Sequence, residues 1–319
     1  MNLATSYLGL NLSSPLIVGA SPFCDRIDTA CAVQDAGAAA VVMRSLYEEQ
    51  WPAQARGPDA RQSPAAATAD YQLSPAQYLR QLEYLKEALA IPVIASLNGC
   101  RRGEWIDYAR QFQDAGADAI ELNCYQMVTA ANVASDQIET EMLELLGAVV
   151  ATVRIPVAVK LSPFHTSLTQ LAVALELAGA AGLVLFNRFY QRDVDTDERE
   201  LVPRLRLSDS GDLLLRLRWL ATLSPQLRGS LAASGGVHRA SDIVKALLTG
   251  ADVTQLVSVL LQHGPRVIVT LRAGLEHWMR EHGYTTIEQF RGTLDSRPRP
   301  DPAAFERASY VEALQSWTL

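Results

Sequence analysis

The chain has 319 residues, 49% of them hydrophobic and 20% charged, with a formal net charge of −7. That balance describes an ordinary globular protein of one large domain or two smaller ones, and an acidic surplus argues against a nucleic-acid footprint, which shows as a basic face. Cys24, Cys31, Cys100 and Cys124 contain no CxxC pair and are too scattered for a disulfide framework, so no zinc ribbon or iron–sulfur site is written here. Reduced thiols in a cytoplasmic protein are the expectation. No basic region leads into an apolar core at the N-terminus, and no apolar run reaches membrane-spanning length.

An echo along the chain predicts the fold. The runs 35–38, 114–117, 177–180 and 248–251 each read as the end of a helix, a glycine (Gly37, Gly116, Gly179, Gly250) and an alanine. An apolar strand follows each at once, the glycine serving as the helix stop. Strands at 90–95 and 154–159 enter instead through Ile-Pro-Val, and segments 15–19 and 229–233 complete a set of eight. Eight strands with helical stretches between them predict an α/β fold, a (β/α)₈ TIM barrel. A doubly wound open sheet is the rival, but no GxGxxG follows the first strand. The connections 47–74 and 188–211 are overlong and leave the carboxyl ends of their strands, and such loops are lids, binding loops or disorder. A closing helix is expected over 265–282, a capping box at Thr286–Gln289, and a last helix from Pro302 to about Trp317. The domain reading is a barrel over residues 1–283 with a helical tail over 284–319 packed on it.

The strand ends carry the chemistry. Ala20 and Ser21 follow the first strand, Arg44 and Ser45 the second, Asn98 the third. Asn123, Cys124 and Tyr125 follow the fourth, Lys160 ends the fifth, and Asn187 follows the sixth. Gly235 and Gly236 follow the seventh, and Ser258 the eighth. Lys160 closes an otherwise apolar strand, either as a cation facing an anionic ligand or as a stem that snorkels to water. The Gly235–Gly236 pair admits a phosphate close to backbone N–H groups, or makes a tight turn before the next helix.

The stretches 14–21, Glu121-Leu122-Asn123, Val159-Lys160-Leu161-Ser162-Pro163, Ser234-Gly235-Gly236-Val237 and Gly250-Ala251-Asp252-Val253 resemble the dihydroorotate dehydrogenase family. The likeness covers nearly the whole chain and points to its soluble, class 1-like branch. The resemblance implies FMN at the barrel mouth and hydride transfer from dihydroorotate to flavin N5, the orotate-forming step of pyrimidine biosynthesis. It places Ala20, Ser21, Arg44, Ser45, Asn98 and Asn123 around the flavin, Lys160 at its N1/O2 edge, and Gly235, Gly236 and Ser258 on its phosphate. It also gives Asn123 and Asn187 to a planar, carboxylated pyrimidine. A fixed cation at the N1/O2 edge would stabilise reduced flavin, so replacing Lys160 by alanine is expected to cost rate far more than stability.

Departures from the family pattern are plain. The base position after the fourth strand holds Gln126, and a second asparagine is replaced by Val128. Cys124 and Tyr125 are the substitutes at hand, though period-two alternation turns Cys124 away from the side Asn123 faces. Arg44 stands for a family lysine, while Val257 and Asp209 stand for phosphate-loop glycines, Asp209 bringing a negative charge toward the phosphate. The first barrel strand begins by Leu16, leaving no room ahead of it for the amphipathic extension of quinone-using relatives. A soluble or protein electron acceptor and a homodimer are expected. Two other readings keep the barrel: a Schiff-base aldolase acting through Lys160, and a non-catalytic flavin-binding subunit.

Overall fold

In the computed structural model, residues 1–50, 73–100, 102–126, 128–188, 191–294 and 302–316 are described. Two short strands, β1 (Thr5–Tyr7) and β2 (Leu10–Leu12), pair as an antiparallel hairpin. Then come β3 (Leu16–Val18), α1 (Ile27–Asp35), β4 (Val41–Tyr47), α2 (Pro75–Ala88), β5 (Val93–Asn98) and α3 (Asp107–Asp114). β6 (Ala119–Asn123), α4 (Ser135–Thr152), β7 (Val157–Leu161), α5 (Leu168–Leu177) and β8 (Gly182–Leu185) continue the alternation. A second hairpin, β9 (Gln191–Asp195) with β10 (Glu200–Arg204), precedes α6 (Leu213–Leu223), β11 (Ser230–Ser234), α7 (Ala240–Leu248) and β12 (Val253–Leu256). The order β3-β4-β5-β6-β7-β8-β11-β12 closes into one parallel barrel, the expected (β/α)₈ architecture. The short helix α8 (Ser258–His263), α9 (Val267–Glu281) and α10 (Pro302–Gln315) follow.

The glycine echo is physical. Gly37, Gly116, Gly179 and Gly250 all lie at φ between +92° and +105°. The amide after each glycine reaches back to a carbonyl of the last helical turn, as Ala38 to Val33 O and Ala251 to Ala246 O do. An L side chain resists that left-handed conformation, so glycine both ends the helix and turns the chain into the next strand.

Period-two alternation sorts each strand between lumen and helices. Along β7, Val157, Val159 and Leu161 join the core beneath the helices, whereas Ala158 belongs to a separate luminal cluster. That cluster holds small side chains (Ala40, Ala119, Ala158 and Ala232), which leave room for Tyr7, Leu8 and Leu12 of the N-terminal hairpin. Tyr7 is 1% exposed. The hairpin therefore plugs one end of the barrel, and polar groups gather at the strand carboxyl ends.

The segment after α9 packs through Tyr284, Ile287 and Phe290, whereas the described side chains of α10 are almost all exposed. Phe290 and Ile287 are buried, and Trp278, Tyr284 and Phe290 stack together with ring centroids 5.1–5.7 Å apart. Thr286 and Gln289 form the expected capping box. Most of the overlong connection 47–74 and residues 295–301 lie outside the described residues. Among the described residues, no helix is long and apolar enough to cross a membrane and no His/Cys/Asp/Glu cluster could hold a metal ion.

Candidate active site

A cavity of about 650 Å³ opens at the strand carboxyl ends, within the range of roughly 300–1,000 Å³ typical of small-molecule sites. Ala20, Ser21, Arg44, Ser45, Asn123 and Lys160 line it. Asn187, Arg216, Gly235 and Ser258 line it too. Asn98 does not line it, but is buried beside Asn123 in the β5–β6 register.

Lys160 does not snorkel. It is 6% exposed, and its Nζ donates to Glu121 Oε1 at 3.0 Å and to Gln255 Oε1 at 3.1 Å. Gln255 Nε2 in turn donates to Glu121 Oε2 at 2.5 Å. Glu121, Lys160 and Gln255 share the inward parity of Ala119, Ala158 and Val253, so three strands deliver one interlocked group to the lumen. An ammonium has three N–H donors; among the described residues two are taken, which leaves the third for a ligand in the cavity. The ion pair employs Lys160 as a cation, a use that suits charge stabilisation better than nucleophilic attack by a neutral amine.

The asparagines converge as the sequence suggested: Asn187 Nδ2 donates to Asn123 Oδ1 at 2.8 Å. That bond fixes both amide orientations and leaves Asn123 Nδ2 and Asn187 Oδ1 available, a donor beside an acceptor. Ser21 Oγ and Arg44 Nε are buried without a partner among the described residues, although both residues line the cavity. Buried polar atoms are ordinarily satisfied, so these two hold hydrogen-bonding capacity that a bound ligand would use. Arg44 Nη2 pairs with Asp25 Oδ2 at 3.0 Å. Burial pushes the Asp25 carboxyl above its usual range and Arg44 pulls it back.

Two departures from the family pattern have a local structural account. Val257 has φ −135°, which does not demand glycine, and its Cγ2 would lie 2.8 Å from a Cβ on Gly19. The valine thus occupies space that Gly19 leaves open. Asp209 does not bring its charge into the cavity, contrary to the sequence expectation. Its Oδ1 accepts from Gly211 N at 2.9 Å as the cap of a short helical turn, and Oδ2 pairs with Arg206 at 2.7 Å. The Arg206 hydrogen bond holds its carboxyl below the usual range.

Two expected catalytic candidates are not delivered to this cavity. Cys124 has the outward parity of Leu122 and lines a separate cavity of about 370 Å³ together with Gln126, Ser162 and His165. Burial pushes its thiol well up, with Cys100 and Glu48 adding in the same direction, the opposite of an activated nucleophile. Tyr125 does not line the main cavity; its carbonyl accepts from Cys100 Sγ at 3.1 Å. A thiol probe at neutral pH is accordingly expected to modify Cys31 or Cys100 in the folded protein and Cys124 only after denaturation, read by peptide mass mapping. Native labelling of Cys124 would restore it as a candidate.

Ser208 and Arg216 entered the site unforeseen. Ser208 Oγ accepts from Gly236 N at 3.1 Å and donates to Ser258 Oγ at 2.9 Å, while Ser208 N donates to Ser258 Oγ at 3.0 Å. Gly235 and Gly236 sit at φ +89° and +84°, so the pair forms a true left-handed turn. Glu121 was visible in the Glu-Leu-Asn run but was not assigned a role, and Gln255 shares β12 with luminal Val253 in the same way.

A family model described as dihydroorotate dehydrogenase matches residues 69–279. A protein of Aeropyrum pernix, provisionally named dihydroorotate dehydrogenase A (fumarate), is 29% identical over 67% of this chain and 71% of its own. The NAD-dependent dihydropyrimidine dehydrogenase subunit PreA of Escherichia coli is 27% identical over 70% of this chain and 58% of its own. The catalytic subunit of dihydroorotate dehydrogenase B (NAD(+)) from Methanosarcina acetivorans is 27% identical over 89% of this chain and 93% of its own.

Proposed function

Because the chain belongs to the dihydroorotate dehydrogenase family, we propose that it is an FMN-dependent oxidoreductase for a small, planar, carboxylated or amide-bearing ring, with dihydroorotate the default substrate. The observation that carries this reading is the set of side chains on one cavity: Lys160 with a free donor, Ser21 and Arg44 with unmet hydrogen-bonding capacity, and the Asn123–Asn187 pair. FMN, when bound, supplies the two-electron acceptor that none of these side chains provides.

The residues themselves bind, orient and screen. Ala20, Ser21, Arg44 and Ser45 would hold the ring system, with Asn98 supporting from behind Asn123. Lys160, kept in place by Glu121 and Gln255, would stabilise negative charge on the ring it faces. Asn123 and Asn187 would present a donor and an acceptor to a substrate amide or carboxylate, fixing its plane. Gly235 and Ser258 would receive the phosphate, while Gly236, which does not line the cavity and whose amide donates to Ser208 Oγ, would shape the turn. Since PreA and the Methanosarcina protein are both named as subunits, a partner protein or a soluble acceptor fits as the electron outlet.

The test is spectroscopic. Protein purified with or reconstituted with FMN should be yellow, orotate should shift the flavin bands, and dihydroorotate should bleach them. A colourless chain that stays empty with added FMN would end the flavin reading. One observation favours a second reading: Gln126 stands at the family's base position and lines the other cavity. FMN uptake with neither an orotate shift nor bleaching by any dihydropyrimidine would point to a flavin-binding subunit without turnover. Asn187→Ala should weaken orotate about 10- to 100-fold, the worth of losing a polar partner in a dry site, with FMN affinity within about twofold. Equal losses for both ligands would remove Asn187 from the substrate side.

A further inference from the structure

Arg216 is the most deeply buried arginine among the described residues, 6% exposed, on α6 one turn past the start of the helix. Its Nε donates to Ser234 O at 2.9 Å and its Nη1 to Asp212 O at 2.7 Å, so the guanidinium plane is held by two main-chain carbonyls. The guanidinium carbon lies 5.9 Å from the Phe186 ring centre. The third nitrogen, Nη2, lies 3.2 Å from where a Cβ on Gly235 would be. A side chain at Gly235 would therefore cover the one part of the fork not already bonded to a carbonyl.

No carboxylate among the described residues makes an ion pair with Arg216. The acids nearby are already engaged: Asp212 Oδ1 pairs with Arg188 at 3.1 Å, and Asp209 pairs with Arg206. Asp212 also meets Arg206 at 3.5 Å. Three arginines thus share two carboxylates, and among the described residues the buried one donates to main-chain carbonyls, with the Asp212 charge acting on it only through space. A buried charge without a directly paired carboxylate is costly, and guanidinium forks match phosphate oxygens in geometry as well as charge. Arg216 lines the same cavity as Gly235, Ser208 and Ser258.

We infer that Arg216 is the cation that receives the terminal phosphate of the flavin cofactor, a phosphomonoester dianion, and that it sets a preference for FMN over riboflavin. The inference rests on the flavin reading above, but its test separates the two. The third guanidinium nitrogen and the Ser258 hydroxyl meet the phosphate oxygens across the glycine turn. With the guanidinium already oriented by Ser234 and Asp212, little side-chain freedom remains to be lost on binding.

The experiment titrates flavin-free protein with FMN and with riboflavin by fluorescence, and with inorganic phosphate by thermal shift. Arg216→Met should weaken FMN about 10- to 100-fold, the loss of a charge-assisted contact, and riboflavin less than about threefold. Loss of both flavins in equal measure would make Arg216 a structural cap for the two carbonyls, and an unchanged FMN affinity would remove it from the phosphate site; either overturns the inference. Should the methionine variant fail to fold, Arg216→Lys carries the same comparison, with a smaller loss confined to FMN expected and an equal loss of both flavins counting against it. If the unmodified protein takes up neither flavin, the flavin reading fails and inorganic phosphate decides. A phosphate-induced rise in melting temperature that vanishes in Arg216→Met supports the anion site, and its absence or its persistence in the variant sinks it.

Discussion

Lys160→Met should destabilise the fold by about 3–5 kcal/mol, the cost of removing one partner from a buried ion pair. The reason lies in what remains: Glu121, its side chain 2% exposed, would keep only Gln255 as a partner. Glu121→Gln strands Lys160 and should cost a similar amount. The double variant Lys160→Met/Glu121→Gln leaves no uncompensated charge and should lose clearly less than the two single losses added. Urea denaturation of the four proteins gives the coupling energy directly. Single variants within about 0.5 kcal/mol of the parent, the scale of surface substitutions, would contradict the buried pair. The buried pair adds a stability cost beside the rate cost expected from sequence for replacing Lys160. With Glu121 at 3.0 Å, the lysine serves the fold as well as the ligand. The double variant is consequently the one in which any change in flavin reduction can be read free of a folding defect.

Glu121 is less legible in the sequence than Lys160. Both have inward parity on neighbouring strands, and Asn123 lies beside Lys160 in the register. Lysine at the end of an apolar strand is conspicuous, whereas a glutamate inside Glu-Leu-Asn looks like the start of a polar loop. Its burial follows only when closure of the barrel sets β12 within reach and Gln255 supplies the second partner, a pairing 134 residues apart in sequence. The strands themselves were readable because their signals are local: a glycine that must adopt left-handed φ, or an Ile-Pro-Val entrance. Arg216 was hidden for the opposite reason. In Leu213-Leu214-Leu215-Arg216-Leu217-Arg218-Trp219 two arginines alternate with leucines, and only the helix's rotation against β11 buries the first and exposes the second. The hairpin of β9 and β10 reads as a loop in the sequence because its strands are mostly exposed and charged on both faces, so no apolar alternation marks them. The N-terminal plug escaped notice because each of its strands has three residues.

Gly236→Ala should be among the most damaging small substitutions in the molecule, because two independent penalties fall on one methyl group. The residue sits at φ +84°, where an L side chain strains the backbone by about 1 kcal/mol or more. The added Cβ would also lie 2.4 Å from Leu213 N and 2.7 Å from Leu213 Cα, main-chain atoms that cannot rotate aside. Either the glycine turn or the start of α6 must move, and Arg216 lies three residues further along that helix. Gly9→Ala separates the two penalties. Gly9 has a comparable φ of +76° with nothing within 4 Å of its would-be Cβ, so strain alone remains. The expected pair of outcomes is a loss of about 1 kcal/mol at Gly9 and of at least about 3 kcal/mol at Gly236, the larger value belonging to forced overpacking in the core. Only the second should also release FMN, because displacing α6 would carry the Arg216 guanidinium away from Gly235. Denaturation midpoints and flavin content of the purified variants measure both effects. If the two alanines prove equally mild and equally yellow, the close approach between the glycine turn and Leu213 is not what holds this rim of the site together.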